Sequence, residues 1–367
     1  MGRSTQRRRW ALRLIASVVI TGALIYALQQ RYDAIPESLA VPWWVLPTYF
    51  GILLIYFVTR VGRWLFLLRP LGDVPLGVGM ATGLAGTMWI AWLPWRIGEL
   101  ARPLILAQNS SVTFSQTLGS IALERVVDGL FVCGLFFGSF ALVEVRPGLE
   151  ALYTASLGVV GVFLLALLVL IGMARFPRAV GGLVERMTSW ILPGLARKLA
   201  EVARGVSEGL AALPSPRPLA LFLLGTAAYW SINVVGMWVL ARGCGITLTI
   251  PETTAVMAVT NLALLIPGPP AQLGTFHLGV LTGLSLFLDE DTVRGQGVVF
   301  AFYLYACQVT TITALGLLGQ MRLEVRWREV LRSLTNTEEA QDEDAGADAD
   351  AGASELAPGE QATQATP

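Results

Sequence analysis

The run LGVGMATGLAGTMWIAWLPW, residues 76–95, decides how this chain folds. It is apolar enough to enter a bilayer. Yet Gly77, Gly79, Gly83 and Gly86 interrupt it and Pro94 stops it. Around it lie apolar runs at 11–28, 43–68, 117–143 and 154–174, then at 219–241, 253–267, 271–288 and 297–319. A helix of about 20 residues spans the hydrocarbon core. Membrane strands alternate over about ten residues. These runs are continuous, so helices that satisfy their own backbone groups are expected.

Basic residues gather on the cytoplasmic side of membrane proteins. If every run crossed, Arg3, Arg7, Arg8 and Arg9 would lie inside, and the stretch with Arg175, Arg178, Arg186, Arg197, Lys198, Arg204 and Arg217 outside. The contradiction disappears if residues 76–95 enter and return. The expected fold is an all-α, polytopic transmembrane helix bundle. It has about six crossings plus two broken, re-entrant segments, about eight helical segments in all. Both termini are then cytoplasmic. Residues 11–28 exceed a signal-peptide core and lack a small-x-small cleavage site, so they read as an uncleaved helix.

Composition agrees. Of 367 residues, 54% are hydrophobic and 14% charged, against about 25% charged in soluble domains. Residues 1–10 form a basic cytoplasmic N-terminus and 11–320 the membrane domain. Within it, 175–218 is a cytoplasmic amphipathic stretch suited to the membrane surface. Residues 321–335 are a basic juxtamembrane segment. Residues 336–367 are acidic, without Lys, Arg or aromatic side chains, and are expected to be disordered. Cys133, Cys244 and Cys307 lie far apart in apolar sequence and read as small buried hydrophobes. No cofactor, metal or nucleic-acid partner is expected.

The two halves look related. Residues 43–68, 76–94 and 117–143 correspond to 219–241, 253–267 and 297–319, and an odd number of crossings per half makes them run oppositely. Paired Gly/Pro-broken segments in inverted halves point to a transport site; the alternative is a plain bundle with kinked helices.

Three stretches carry candidate chemistry. In Leu93-Pro94-Trp95-Arg96-Ile97-Gly98-Glu99-Leu100-Ala101-Arg102, Arg96, Glu99 and Arg102 recur every third residue and should share a helix face. Paired guanidinium forks suit a phosphate; snorkelling at the interface is the bland alternative. Next, Glu124, Arg125 and Asp128 lie inside an apolar run, with Arg125 in i,i+3 reach of Asp128. Charges there cost about 2.5 kcal/mol or more each and should face an interior or a wet cavity. They either line a substrate path or form a self-neutralising structural cluster. Last, Ile266-Pro267-Gly268-Pro269-Pro270-Ala271-Gln272-Leu273-Gly274-Thr275-Phe276-His277 breaks a second helix. A helix starting near Ala271 would aim N–H groups at an anion. His277, the only histidine, is either a hydrogen-bonded structural residue or a proton-coupling site.

Two motifs mislead. Gly205-Val206-Ser207-Glu208-Gly209 matches GxSxG without a preceding strand or nearby histidine. Asp289-Glu290-Asp291 reads as a solvated external loop. The absence of a Walker motif argues against ATP-driven transport by this chain alone.

On the 93–102 run, the segment Ala122-Leu123-Glu124-Arg125-Val126-Val127-Asp128-Gly129, and Pro267-Gly268 through Leu273-Gly274-Thr275-Phe276, the chain resembles the flippase-like transmembrane domain of lysylphosphatidylglycerol synthases. The resemblance covers nearly all of residues 10–320. It implies a lipid translocase acting on lipids with modified headgroups or on polyprenyl-linked intermediates. The chain departs from it in having His277 where many relatives carry Glu, and an acidic tail in place of an aminoacyl-transferase domain.

The expected function is therefore translocation of an anionic or polyprenyl-phosphate-linked lipid between leaflets of the inner membrane. Arg96, Glu99, Arg102, Glu124, Arg125, Asp128, Gly268, Gly274 and His277 are the candidate substrate-binding residues. A lipid-modifying enzyme encoded elsewhere is a candidate partner. The alternatives are a membrane component of polyprenyl-linked glycosyl transfer or of envelope lipid synthesis, and a non-catalytic scaffold.

Overall fold

The computed structural model describes residues 41–93, 98–143, 150–176, 193–212, 216–266 and 270–323. The expected first helix at 11–28, the acidic tail and most of the 321–335 segment lie outside them. The chain divides into two compact units, residues 1–177 with 205–324, and residues 178–204 with 325–367. In the second unit the described residues, 193–204, are helical. All that follows concerns the first unit.

The described residues form α1 (Val45–Leu68), α2 (Leu76–Trp92), α3 (Ala101–Asn109), α4 (Phe114–Phe140), α5 (Glu150–Arg175), α6 (Pro193–Ala212), α7 (Pro216–Gly243), α8 (Ile250–Ala263), α9 (Thr275–Ser285) and α10 (Val298–Gln320). A π-turn over Val293–Gly297 leads into α10. Four helices are long and apolar enough to cross a membrane: Val45–Leu68, Ser156–Arg175, Pro216–Gly243 and Glu290–Gln320. At 27 residues α4 has the length too, with Glu124, Arg125 and Asp128 inside it.

Local chemistry sets the helix starts. Thr113 opens α4 and Thr249 opens α8, each in a capping box with the Gln116 or Glu252 side chain reaching back. Each box satisfies two N–H groups that a helix end leaves open.

Both broken segments enter and return. In the first, Gly86 abuts the Arg102 stem and Gly98 abuts the Trp89 carbonyl, so α2 and α3 run antiparallel. The Ser111 hydroxyl donates to the Asp73 carbonyl at 3.4 Å, closing the hairpin where it began. In the second, Gly279 packs on Thr260 and Gly283 on Val256, making α8 and α9 antiparallel. Gly245, before α8, lies beside Gln296, beyond α9.

The mouths of the two hairpins lie at opposite ends of α10. Gly319 abuts the Ala81 carbonyl at the mouth of the first, whereas Gln296 marks the mouth of the second. The packing repeats with the halves exchanged: α1 lies along α7, α2 pairs with α10 as α8 does with α4, and α3 borders α4 as α9 borders α10. An inverted repeat produces this pairing.

Two local expectations are corrected. The second hairpin's return helix begins at Thr275 rather than near Ala271. Ala271 and Gln272 adopt left-handed φ of 57° and 54°, which no right-handed helix accommodates. The first hairpin passes through a 3₁₀ turn at residues 98–100 before α3 begins. The three-residue face expected for Arg96, Glu99 and Arg102 therefore does not persist: Glu99 and Arg102 point to different surroundings.

Candidate functional site

Four charged side chains meet inside the bundle. Glu124 is fully buried on α4. Its Oε2 accepts from Arg102 of α3 at 2.7 Å and its Oε1 from Arg63 of α1 at 3.3 Å. Arg63 also donates to Asp128 Oδ2 at 2.7 Å and to Thr226 Oγ1 of α7 at 2.7 Å. The Tyr229 hydroxyl donates to Asp128 Oδ1 at 2.8 Å. Arg102 reaches Thr87 of α2 at 3.2 Å. Aromatic faces complete the casing: Arg63 lies over Tyr229 at 4.3 Å and Arg102 over Trp64 at 5.1 Å. Glycines make this possible, since a Cβ on Gly86 would strike the Arg102 stem and one on Gly225 the Arg63 stem.

The energetics explain the density of contacts. An uncompensated charge in hydrocarbon costs several kcal/mol, and a buried pair holds only when its remaining donors and acceptors are also matched. Here one network joins α1, α2, α3, α4 and α7.

Beside the network lies a cavity of about 450 Å³ reached by both hairpin tips. Its wall includes Glu99 from the first tip, Ala271 and Gln272 from the second, Arg125 and Asp128 from α4, and Arg60 from α1. Arg125 approaches Glu99 at 3.9 Å. That is an ion pair beyond hydrogen-bond length. Among the described residues Arg125 Nε and Nη2 have no hydrogen-bond partner, nor does Arg60 Nε. Arg60 Nη1 donates to the Tyr56 hydroxyl at 3.1 Å. Two guanidinium groups thus face one hollow with donors to spare.

The candidate residues fall into groups. Glu99, Arg125 and Asp128 share the cavity. Arg102 and Glu124 lie behind its wall, locked in the network. The expected i,i+3 contact of Arg125 with Asp128 is replaced, because Arg63 and Tyr229 occupy both Asp128 oxygens. Gly274, at φ 90°, caps α9 in a conformation that favours glycine. His277 stands off the wall, its ring 4.8 Å from that of Tyr305, which is on it. Among the described residues His277 Nδ1 has no partner. Arg96 and Gly268 lie outside the described residues.

Arg60 and Arg63 escape a sequence reading of the site because they look like ordinary cations near the end of an inward span. The signal that could find them is depth: both precede Leu68, the end of α1, by more than a turn. The metal-like acidic triplet resolves into capping, with Asp289 accepting from the Thr292 N–H at 2.9 Å and Glu290 pairing with Arg294. The GxSxG stretch is helical, its Gly205 and Gly209 seated against Ser115 and Gln116. Among the described residues there is no cluster able to hold a metal ion.

A family model described as the lysylphosphatidylglycerol synthase TM region matches residues 13–316. No curated protein matches the chain.

Proposed function

The chain belongs to the lysylphosphatidylglycerol synthase TM-region family and is a multi-pass membrane protein, and from that premise we propose that it moves an anionic or polyprenyl-phosphate-linked lipid between the leaflets of the inner membrane, with both its termini cytoplasmic. One observation carries the reading: Arg60 and Arg125 face a single hollow between two oppositely entering hairpins, with guanidinium donors unfilled. A phosphate diester fits that hollow, because it brings one negative charge and two acceptor oxygens to paired forks.

Each group has a separate role in this reading. Arg60 and Arg125 take the phosphate, and Glu99 holds Arg125 in place between passages. Arg63, Glu124 and Arg102 brace the helices so that the cations keep their position. Acyl chains trail past α5, which is barely buried and contributes Phe163 to the cavity wall. Phe163 sits in the notch at Gly129 of α4, where a Cβ would collide with its ring. Neither hairpin tip needs to cross the bilayer for the headgroup to pass between them.

The test is lipid movement in proteoliposomes holding the full chain and a fluorescent anionic lipid, read by quenching from outside. Protein-dependent loss of asymmetry that falls about tenfold or more in Arg125→Ala supports the proposal. Movement no faster than in empty vesicles, or unchanged in Arg125→Ala and Arg60→Ala, overturns it.

A further inference from the structure

We propose that the same cavity carries a second pole that binds an uncharged, hydroxyl-bearing headgroup, a glycerol or a sugar, on the lipid phosphate. This rests on the phosphate reading of Arg60 and Arg125 and names what lies beyond the phosphate.

Carboxamides gather on the wall away from the cations. Asn233 of α7, Asn261 of α8, Gln272 of the second tip and Gln308 of α10 all line the cavity, together with Trp230. Such side chains are unusual in helices this apolar, where each unmatched polar group is costly. Among the described residues Asn233 and Gln272 have no hydrogen-bond partner. The buried Trp230 Nε1 has none either. Asn261 spends its amide on the Met257 carbonyl at 2.9 Å, which leaves its oxygen to accept. Gln308 touches the Tyr49 hydroxyl at 3.5 Å.

The two poles are separated along α1. Gly225 of α7 abuts Arg63, and Gly236 abuts Tyr49 and Ile52. Asn233, between them in sequence and close to Gly236, lies toward the Tyr49 end, as Gln308 does. From Tyr49 to Arg60 is roughly 16 Å at ~1.5 Å per residue. A phosphate at the arginines therefore leaves room for a headgroup reaching toward the carboxamides.

The chemistry selects the class. A carboxamide offers both donors and an acceptor, as a hydroxyl does. An ammonium would need a carboxylate. Both acids on the wall already face cations: Asp128 holds Arg63 and the Tyr229 hydroxyl, and Glu99 stands by Arg125. Arg60 and Arg125 would also repel it. The cavity is thus built for neutral hydroxyls and against amines.

The experiment is native mass spectrometry of the detergent-purified full chain with four lipids of matched acyl chains. Phosphatidylglycerol and phosphatidylinositol carry hydroxyls, one in a glycerol and one in a ring. Phosphatidylmethanol has the same charge without them, and phosphatidylethanolamine has an amine. The expected preference for the hydroxyl lipids over phosphatidylmethanol is about tenfold, the worth of two or so neutral hydrogen bonds. Asn233→Leu and Gln308→Met, on different helices, should each cut that ratio to about threefold, while Arg125→Ala weakens all the anionic lipids alike. Equal binding of phosphatidylglycerol and phosphatidylmethanol, with both still weakened by Arg125→Ala, overturns this inference and leaves the phosphate reading standing. A preference that survives both carboxamide substitutions also overturns it. Strongest binding of phosphatidylethanolamine, or retention of no anionic lipid, overturns the phosphate reading and this one with it.

Discussion

Arg63 and Asp128, 65 residues apart in the chain, meet at 2.7 Å inside the bundle, and Glu124 ties the same guanidinium to Arg102. The arrangement separates two kinds of charge. Those in the network are saturated by each other; those on the cavity wall keep donors open.

Substitutions should therefore sort by stability and transport. Glu124→Gln leaves Arg63 and Arg102 buried without their shared counter-charge, at a cost of about 3–5 kcal/mol. Arg125 is partly exposed, and its ion-pair partner, Glu99, is 3.9 Å away, so Arg125→Ala should cost under about 1 kcal/mol. Thermal melting in detergent is expected to drop by many degrees for the first and little for the second, with lipid movement lost in both. Equal melting of the two variants would remove the distinction.

The first hairpin depends on one close approach. A Cβ on Gly98 would lie 2.1 Å from the Trp89 carbonyl oxygen, which belongs to backbone and has little freedom to yield. Gly98→Ala should destabilise by about 1–3 kcal/mol, the usual cost of overpacking. It should also displace the adjacent Glu99 from Arg125. A lowered melting temperature together with impaired lipid movement is expected. A variant that melts like the parent shows that the tip does not pack this way.

At the second tip the strain sits on the wrong residue type. Ala271 holds φ 57° and ψ 12°, a conformation costing a side-chain-bearing L residue about 1–2 kcal/mol. Ala271→Gly should raise the melting temperature despite glycine's greater freedom in the unfolded chain. Gly274→Ala, at φ 90°, should lower it. The opposite signs are the check, and a loss of stability in Ala271→Gly would contradict the left-handed turn.

The crossings are readable because hydrophobicity runs unbroken along them, and the first re-entrant segment because only its return reconciles the basic stretches. The Arg63–Asp128 contact is not readable, since no local spacing points to a partner on another helix. The shared face of Arg96, Glu99 and Arg102 presumes α-helical spacing, which the 3₁₀ turn at 98–100 breaks. The carboxamides draw no notice in the sequence because Asn233 and Gln308 sit singly in apolar runs, and only the fold brings them to one wall.

The inverted hairpins make a prediction about sidedness that requires no lipid. Asp73 and Ser111 flank the first hairpin and touch each other through the Ser111 hydroxyl. Gly245 and Gln296 flank the second, at the other end of α10. That helix runs 23 residues, about 34 Å at 1.5 Å per residue, which exceeds the hydrocarbon core. In a background without Cys133, Cys244 and Cys307, Asp73→Cys and Ser111→Cys should react with a membrane-impermeant thiol reagent from one face. Gln296→Cys should react from the opposite face. Were α2 and α3 one kinked crossing, Asp73→Cys and Ser111→Cys would label from different sides. The paired arrangement of the halves would then be lost, because a first half with one more crossing could not run opposite to the second.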